Sequence, residues 1–498
     1  MDYVQKPLRR GAGTLLPISS LPSPYGIGSF SQEAYDFVDF LVKAGQTYWQ
    51  ILPLCPTNFG DSPYQSASAF AGNPYFIDLD AFIREGLLSK DEVESIDWGE
   101  DPANVDYEIL YENRFRLLHK AFSKSNHYRD KKFRAFCDKN RDWLEEYALF
   151  MAIKDTQFGG SWDVWPKELR FRESAALEKA KSDLKEEISF WRFLQFRFSL
   201  QWEALKNYAN SKGVRIIGDI PIYVAYDSSD VWEYYSFFQL DEQRNPEKVA
   251  GVPPDCFSTT GQLWGNPLYD WDAMKKDNFA WWKRRIAQCA RLYDVVRIDH
   301  FIGIANYYSI DATEATAKDG EWKEGPGADL LKAITEVKGD LQIIAEDLGN
   351  VTDKVRNLMK EFGFPGMKIL QMAFDGSPRN TNLPHTYQKN MVVYGGTHDN
   401  DTLVGFLSLQ ESGPREFTEK YLDIENPILL PKAIIRAGYA SVADVVVFQV
   451  QDYLELGNEA RMNSPATLGI NWKWRLLKGQ LPTTLAERLS SMAEVYDR

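Results

Sequence analysis

Cysteine is scarce in this chain: four residues in 498, at Cys55, Cys137, Cys256 and Cys289, far apart and with no C-x-x-C pair. That spacing argues against a disulfide framework or a zinc site and predicts reduced thiols in a cytoplasmic protein. Positive charge is also short, with 57 Lys and Arg against 71 Asp and Glu and a net charge of -14. A nucleic-acid binder normally presents a basic face, so that class is set aside. No uncharged apolar run approaches the length of a membrane span, and residues 1–14 carry charges without an apolar segment. Neither a spanning helix nor a signal peptide is expected. There is no internal repeat or low-complexity tract. What the chain does have is aromatic rings, 14% of residues with 15 Trp. Rings are ordinary core material by default, and they also cover the apolar faces of sugars.

The apolar fraction of 44% and charged fraction of 26% are those of a globular protein, and 498 residues suffice for one large domain. Apolar runs and helical segments alternate. The runs are Thr14 to Ser19, Tyr48 to Leu54, Val214 to Ile220, the stretch ending at Asp299, Leu341 to Glu346, Gly366 to Ala373, Asn390 to Gly396 and Ala443 to Val450. Between the first two, Ser31 to Ala44 reads as a helix, with Ser31 as N-cap and Gly45 as its stop. Eight such units predict an α/β fold, a (β/α)8 TIM-type barrel forming a single catalytic domain over 1–498. A mostly helical insertion, 55–213, follows strand two; its clearest helix is Ala175 to Ser211. A loop-rich insertion, 225–292, follows strand three, and its Pro253-to-Pro267 stretch has the composition of a lid. The alternative, an open doubly wound sheet, lacks the G-x-G-x-x-G it would carry after the first strand.

In a barrel the C-terminal strand ends form the active face. Strand three ends near Asp219, strand four at Asp299, strand five at Glu346 and strand seven at His398-Asp399. Arg297 and Asp299 are two apart on one strand and share a face. An R-x-D at a strand end is, alone, an ordinary buried ion pair, and a single rim acid is usually a solvated carboxylate. Four acids on one rim are harder to dismiss, because crowded negative charge raises some pKa values unless Arg297, His300 or His398 compensates. Such a set suits glycosidic-bond chemistry, where one carboxylate attacks and one carboxyl donates a proton. Metal binding ranks lower, since no H-x-x-x-H spacing accompanies the acids. No pattern calls for an organic cofactor.

The segments Gly218 to Val224, Val296 to Phe301, Ile344 to Gly349 and Gly396 to Asn400 resemble, in order, the motifs of 4-alpha-glucanotransferases, the amylomaltase or disproportionating-enzyme family of the alpha-amylase clan. Ser20 to Gly28, Ser62 to Ser66, Gly261 to Tyr269 and Arg461 to Trp472 are similar too, so the resemblance spans nearly the whole chain. Where the wider clan places a His five residues after the first Asp, this chain has Val224, as glucanotransferases do. The resemblance implies a retaining transfer between alpha-1,4-glucans such as malto-oligosaccharides, starch or glycogen, with hydrolysis or silent glucan binding as alternatives. It implies Asp299 as nucleophile, Glu346 as general acid/base and Asp399 as the third carboxylate. It further implies Arg297 and Asp219 in support of the reacting sugar, His300 and His398 on its hydroxyls, and Tyr64 and Trp264 as rings against bound glucan.

Overall fold

The eight predicted strands lie side by side, all parallel, in one sheet. A computed structural model of the chain describes residues 3–58, 60–254, 258–349 and 351–498. Asp255 and Cys256, within the predicted lid and among the four cysteines, lie outside the described residues. Among those described, strands in chain order are β1 (Gly11–Leu15), β2 (Tyr48–Gln50), β3 (Arg215–Pro221), β4 (Lys248–Val252), β5 (Gln262–Pro267), β6 (Val295–Asp299), β7 (Asn306–Asp311), β8 (Gly320–Glu324), β9 (Gln342–Ala345), β10 (Gly366–Ile369), β11 (Met391–Tyr394) and β12 (Val445–Gln449). The large sheet runs β10-β11-β12-β1-β2-β3-β6-β9. Its two edges meet where Ala345 of β9 donates its N–H to the carbonyl of Pro365, at 2.9 Å, just before β10. The fold is a (β/α)8 barrel.

Strict alternation along each strand divides the apolar residues into two cores. Leu15, Ile217, Val295, Ile344, Val392 and Val447 are among those that fill the lumen. Ala12, Ile216, Val296, Ile298, Ile343 and Val446 face outward beneath the helices. Two residues beyond Ile217 and Val295, toward the C-terminal mouth, the same inward face carries Asp219 and Arg297. The barrel therefore has an apolar floor and a charged mouth.

Between β2 and β3 the chain is mostly helical, and its last helix, Lys185–Ser211, braces the approach to β6. Trp202 donates its indole N–H to the carbonyl of Leu292, and Lys206 reaches the carbonyls of Arg291 and Tyr293. From the helix that leads into β6, Ala280–Leu292, Arg285 donates to the carbonyls of Pro221 and Ile222 and so caps the end of β3. Gly218 lets these parts close up, because a Cβ there would sit 2.3 Å from the Tyr293 ring.

The structure departs from the sequence reading at several boundaries. The first strand lies three residues earlier than predicted, since Gly11, Ala12 and Gly13 pair with β12 although their small side chains give no strand signal. Ser31 occupies the N-cap position of the helix Gln32–Lys43, but its hydroxyl donates to Glu33 Oε2 instead of bonding the helix amides. The segment Ala175 to Ser211 is two helices, Ser174–Asp183 and Lys185–Ser211, broken at Leu184. The insertion 225–292, read as loop-rich, contributes β4 and β5, whose Gly, Pro and Asn content masks their pairing. These join β7 and β8 in a four-stranded antiparallel sheet, β5-β4-β7-β8, beside the barrel mouth.

Candidate active site

Arg297 is the centre of the charged mouth. Its Nη1 lies 2.8 Å from Asp219 Oδ2 and 2.8 Å from Asp299 Oδ1, so one guanidinium joins the acids of two adjacent strands. Its Nε donates to the sulfur of Met367 on β10. Burial would strip the charge from Arg297, but Asp219 and Asp299 outweigh it and hold the guanidinium firmly protonated. The two carboxylates are not equivalent. The Asp219 side chain has no accessible surface, whereas that of Asp299 is 29% exposed and open to the mouth. Burial raises the pKa of Asp219, against Arg297. Its second support is Tyr64, whose hydroxyl donates to Asp219 Oδ2 at 3.0 Å.

Glu346 follows β9 directly. Leu348 N–H donates to its Oε1 at 2.8 Å, and His300 N–H to its Oε2 at 2.6 Å. Burial pushes its carboxyl up to about 7; Arg297 opposes this and the negative charge of Asp299 adds to it. Deprived of water, a carboxyl holds its proton into the neutral range.

Asp399 has the opposite environment. Burial alone would raise its pKa, but His398, Asn463 and Arg297 together hold it well below the usual carboxylate range. Asn463 Nδ2 donates to Oδ1 at 2.6 Å, and Arg461 fixes the Asp399 carbonyl. With 44% of its side chain exposed, Asp399 faces the cleft as an anion. His398 Nε2 lies 3.4 Å from Asp399 Oδ2, and its ring stacks on Tyr64 with centroids 4.8 Å apart. Burial disfavours its charge, yet Asp399 wins and raises the His398 pKa.

On the other side, His300 is buried, and burial lowers its pKa to about 4, so the imidazole is neutral. Its ring meets the Trp264 ring edge to face at 4.8 Å. Trp264 is on β5, half-buried; the second sheet thereby forms one wall of the mouth. Every site residue predicted from the sequence thus belongs to one connected constellation: Asp219, Asp299 and Glu346 around Arg297, Asp399 with His398 and Tyr64, and His300 with Trp264. Three residues received no individual assignment from the sequence. Asn463 and Arg461 hold Asp399, and Trp472 packs near the rings of Tyr64 and His398, with centroids 6.0 and 5.9 Å away. The signal was the pair Arg461 and Asn463, flanking Met462, on a segment with no strand to place it.

A family model described as 4-alpha-glucanotransferase matches residues 16–480. A 4-alpha-glucanotransferase of Clostridium butyricum is 47% identical over 485 residues, covering 97% of this chain and 99% of the relative. One from Thermus thermophilus is 46% identical and covers 99% of both. Among solved structures, amylomaltase from Streptococcus agalactiae in complex with acarbose superposes with a TM-score of 0.94 at 41% identity, over 98% of this chain and all of that one. With the family matched across nearly its whole length, the chain belongs to the 4-alpha-glucanotransferases.

Proposed function

We propose that the protein cuts an alpha-1,4 bond in one malto-oligosaccharide and passes the released segment to the 4-hydroxyl of another glucan or of glucose, with retention. Asp299 attacks the anomeric carbon while Glu346 gives its proton to the departing 4-oxygen; the C1–O4 bond breaks and a glucosyl ester on Asp299 forms. The acceptor's 4-hydroxyl then attacks the same carbon, loses its proton to Glu346 and frees Asp299. Two inversions give retention. Asp399 grips hydroxyls of the reacting glucose and favours its oxocarbenium-like form. His300, His398, Tyr64 and Trp264 line the bound sugar. Arg297 orients Asp299, and Asp219 supports the subsite from behind through Arg297 and Tyr64.

The observation that carries this reading is the pairing of an Arg297-bound, accessible Asp299 with a buried Glu346 that holds its proton to about 7. Transfer prevails over hydrolysis only when water is kept from the ester, and the wall of the mouth that carries Trp264 on β5 is suited to help do so. Starch- or glycogen-type glucans are the polymeric substrates of the same site, and the acarbose bound by the Streptococcus agalactiae amylomaltase is consistent with a sugar-binding mouth. A cytoplasmic location fits Cys55, Cys137 and Cys289, which are unpaired. Fed maltotriose alone, the enzyme yields glucose and a ladder of longer oligomers. Glucose and maltose without the ladder would mean a hydrolase.

A further inference from the structure

His300, the residue immediately after Asp299, has φ +52°. A residue with a side chain meets a steric penalty in this left-handed region, which its surroundings must offset. Here the offset is visible. The N–H of His300 donates to the carboxylate of Glu346, the next N–H, that of Phe301, donates to the main-chain carbonyl of Glu346 at 3.1 Å, and the carbonyl of His300 accepts from Gly303. Two successive amides thus grip the same residue, one on its side chain and one on its backbone. The φ and ψ of residue 300 set how these two amides are oriented to each other, so a right-handed or extended residue there could not aim both at Glu346.

We infer that His300 is a positioning residue through its main chain: its left-handed turn lets its own amide, which with Leu348 N–H cradles the Glu346 carboxyl beside Asp299, and the amide of Phe301 hold Glu346 together. This rests on Glu346 being the acid/base. The imidazole acts separately, toward Trp264, with Nε2 free of a hydrogen-bond partner among the described residues. The cradle has a chemical consequence, since an amide donated to a carboxylate favours its ionised form. Burial and the charge of Asp299 hold the proton on Glu346, while Arg297 and the two amides let it leave. Asp347, next in sequence, turns away and takes the N–H of Met367. A group that must give a proton in one step and take one in the next needs that balance.

The test separates ring from backbone. His300→Asn and His300→Gly adopt positive φ readily; His300→Ala and, more strongly, the β-branched His300→Val disfavour it, and all four lack the imidazole. On kcat/KM for maltotriose the alkaline limb, where Glu346 loses its proton, should sit about one pH unit higher in the Ala and Val variants than in the Asn and Gly pair. That is the scale of one amide bond to a carboxylate. A common limb for all four, or one ordered by side-chain polarity instead of φ tolerance, overturns the inference. Should the Val variant fail to fold, Ala against Gly carries the comparison. Glu346→Ala, assayed with an activated aryl maltoside and azide, tests the underlying reading by itself. Azide rescue with a common limb defeats the inference alone, while absence of rescue defeats the role of Glu346.

Discussion

At Glu346 and Asp399 two carboxyls of one mouth end in opposite charge states because their exposure and their neighbours differ. Glu346 has only backbone amides and a distant share of Arg297, so burial wins and the proton stays. Asp399 has His398 and a direct hydrogen bond from Asn463, so the charge stays. Two consequences are measurable. The acid form of Glu346 is needed for the first step, so kcat/KM should fall about tenfold per pH unit on the alkaline side of neutrality, where that form is depleted. A pH profile of single-turnover rates checks this, and Glu346→Gln should lack that limb at greatly reduced activity. Asn463→Ala removes a hydrogen bond to a charged carboxylate, worth about 1.5–3 kcal/mol. A loss in kcat of about tenfold to a hundredfold should follow, with native thermal stability. An unchanged kcat would mean that His398 holds Asp399 unaided. Asp299→Asn removes the nucleophile, so turnover should vanish while calorimetric glucan binding persists.

At the scale of elements, the weak point of the barrel is the seam between β9 and β10, which is not joined by a regular ladder. Ile343 and Ala345 of β9 face that seam. Ala345 uses Pro365, and Ile343 uses the side chain of Gln5, which donates Nε2 to the Ile343 carbonyl at 3.0 Å and accepts its N–H at 2.7 Å. A primary amide from the N-terminal arm thus stands in for a missing strand residue. Buried backbone groups left unpaired cost about 1–3 kcal/mol. Gln5→Ala should therefore lower the thermal midpoint while leaving kcat at 25 °C unaltered, because the seam's lower end is far along β9 from Glu346; scanning calorimetry and a disproportionation assay together decide it. Nothing in the sequence around Gln5 signals this role. Strands were legible where valine and isoleucine crowd, as in β6, β11 and β12, because parallel strands buried on both faces need such runs. They were illegible where other forces set the pairing. β1 begins on Gly11 and Gly13, whose lumen positions leave room for Tyr48, and β4, β5, β7 and β8 mix charge and aromatics because one sheet face is partly open. The acids of the proposed mechanism were legible because each sits at a strand end beside a recognisable motif. Asn463 and Arg461 were not, since they come from a loop that no periodicity places.

For the whole molecule, the charge distribution separates the substrate from the surface. The chain carries a net charge of -14, and in its mouth each of these acids has a cationic neighbour: Arg297 is shared by Asp219 and Asp299, and His398 stands against Asp399. These pairs are buried or partly buried, and ions in solution screen such contacts far less than they screen surface charges more than a Debye length apart. A neutral oligosaccharide gains nothing from long-range steering by the acidic surface, so its capture depends on hydroxyl contacts and ring faces in the mouth. The expected result is a kcat/KM for maltotriose that changes less than about twofold between low salt and about 0.5 M sodium chloride, where the Debye length shrinks well below 10 Å. An anionic or cationic substrate analogue of the same length should instead show a clear salt dependence, of opposite sign in the two cases, because only then does the outer field act on the encounter. A steep salt dependence with the neutral sugar would mean that the ion pairs of the mouth are open to solvent and that Arg297 is not sealed between its two acids.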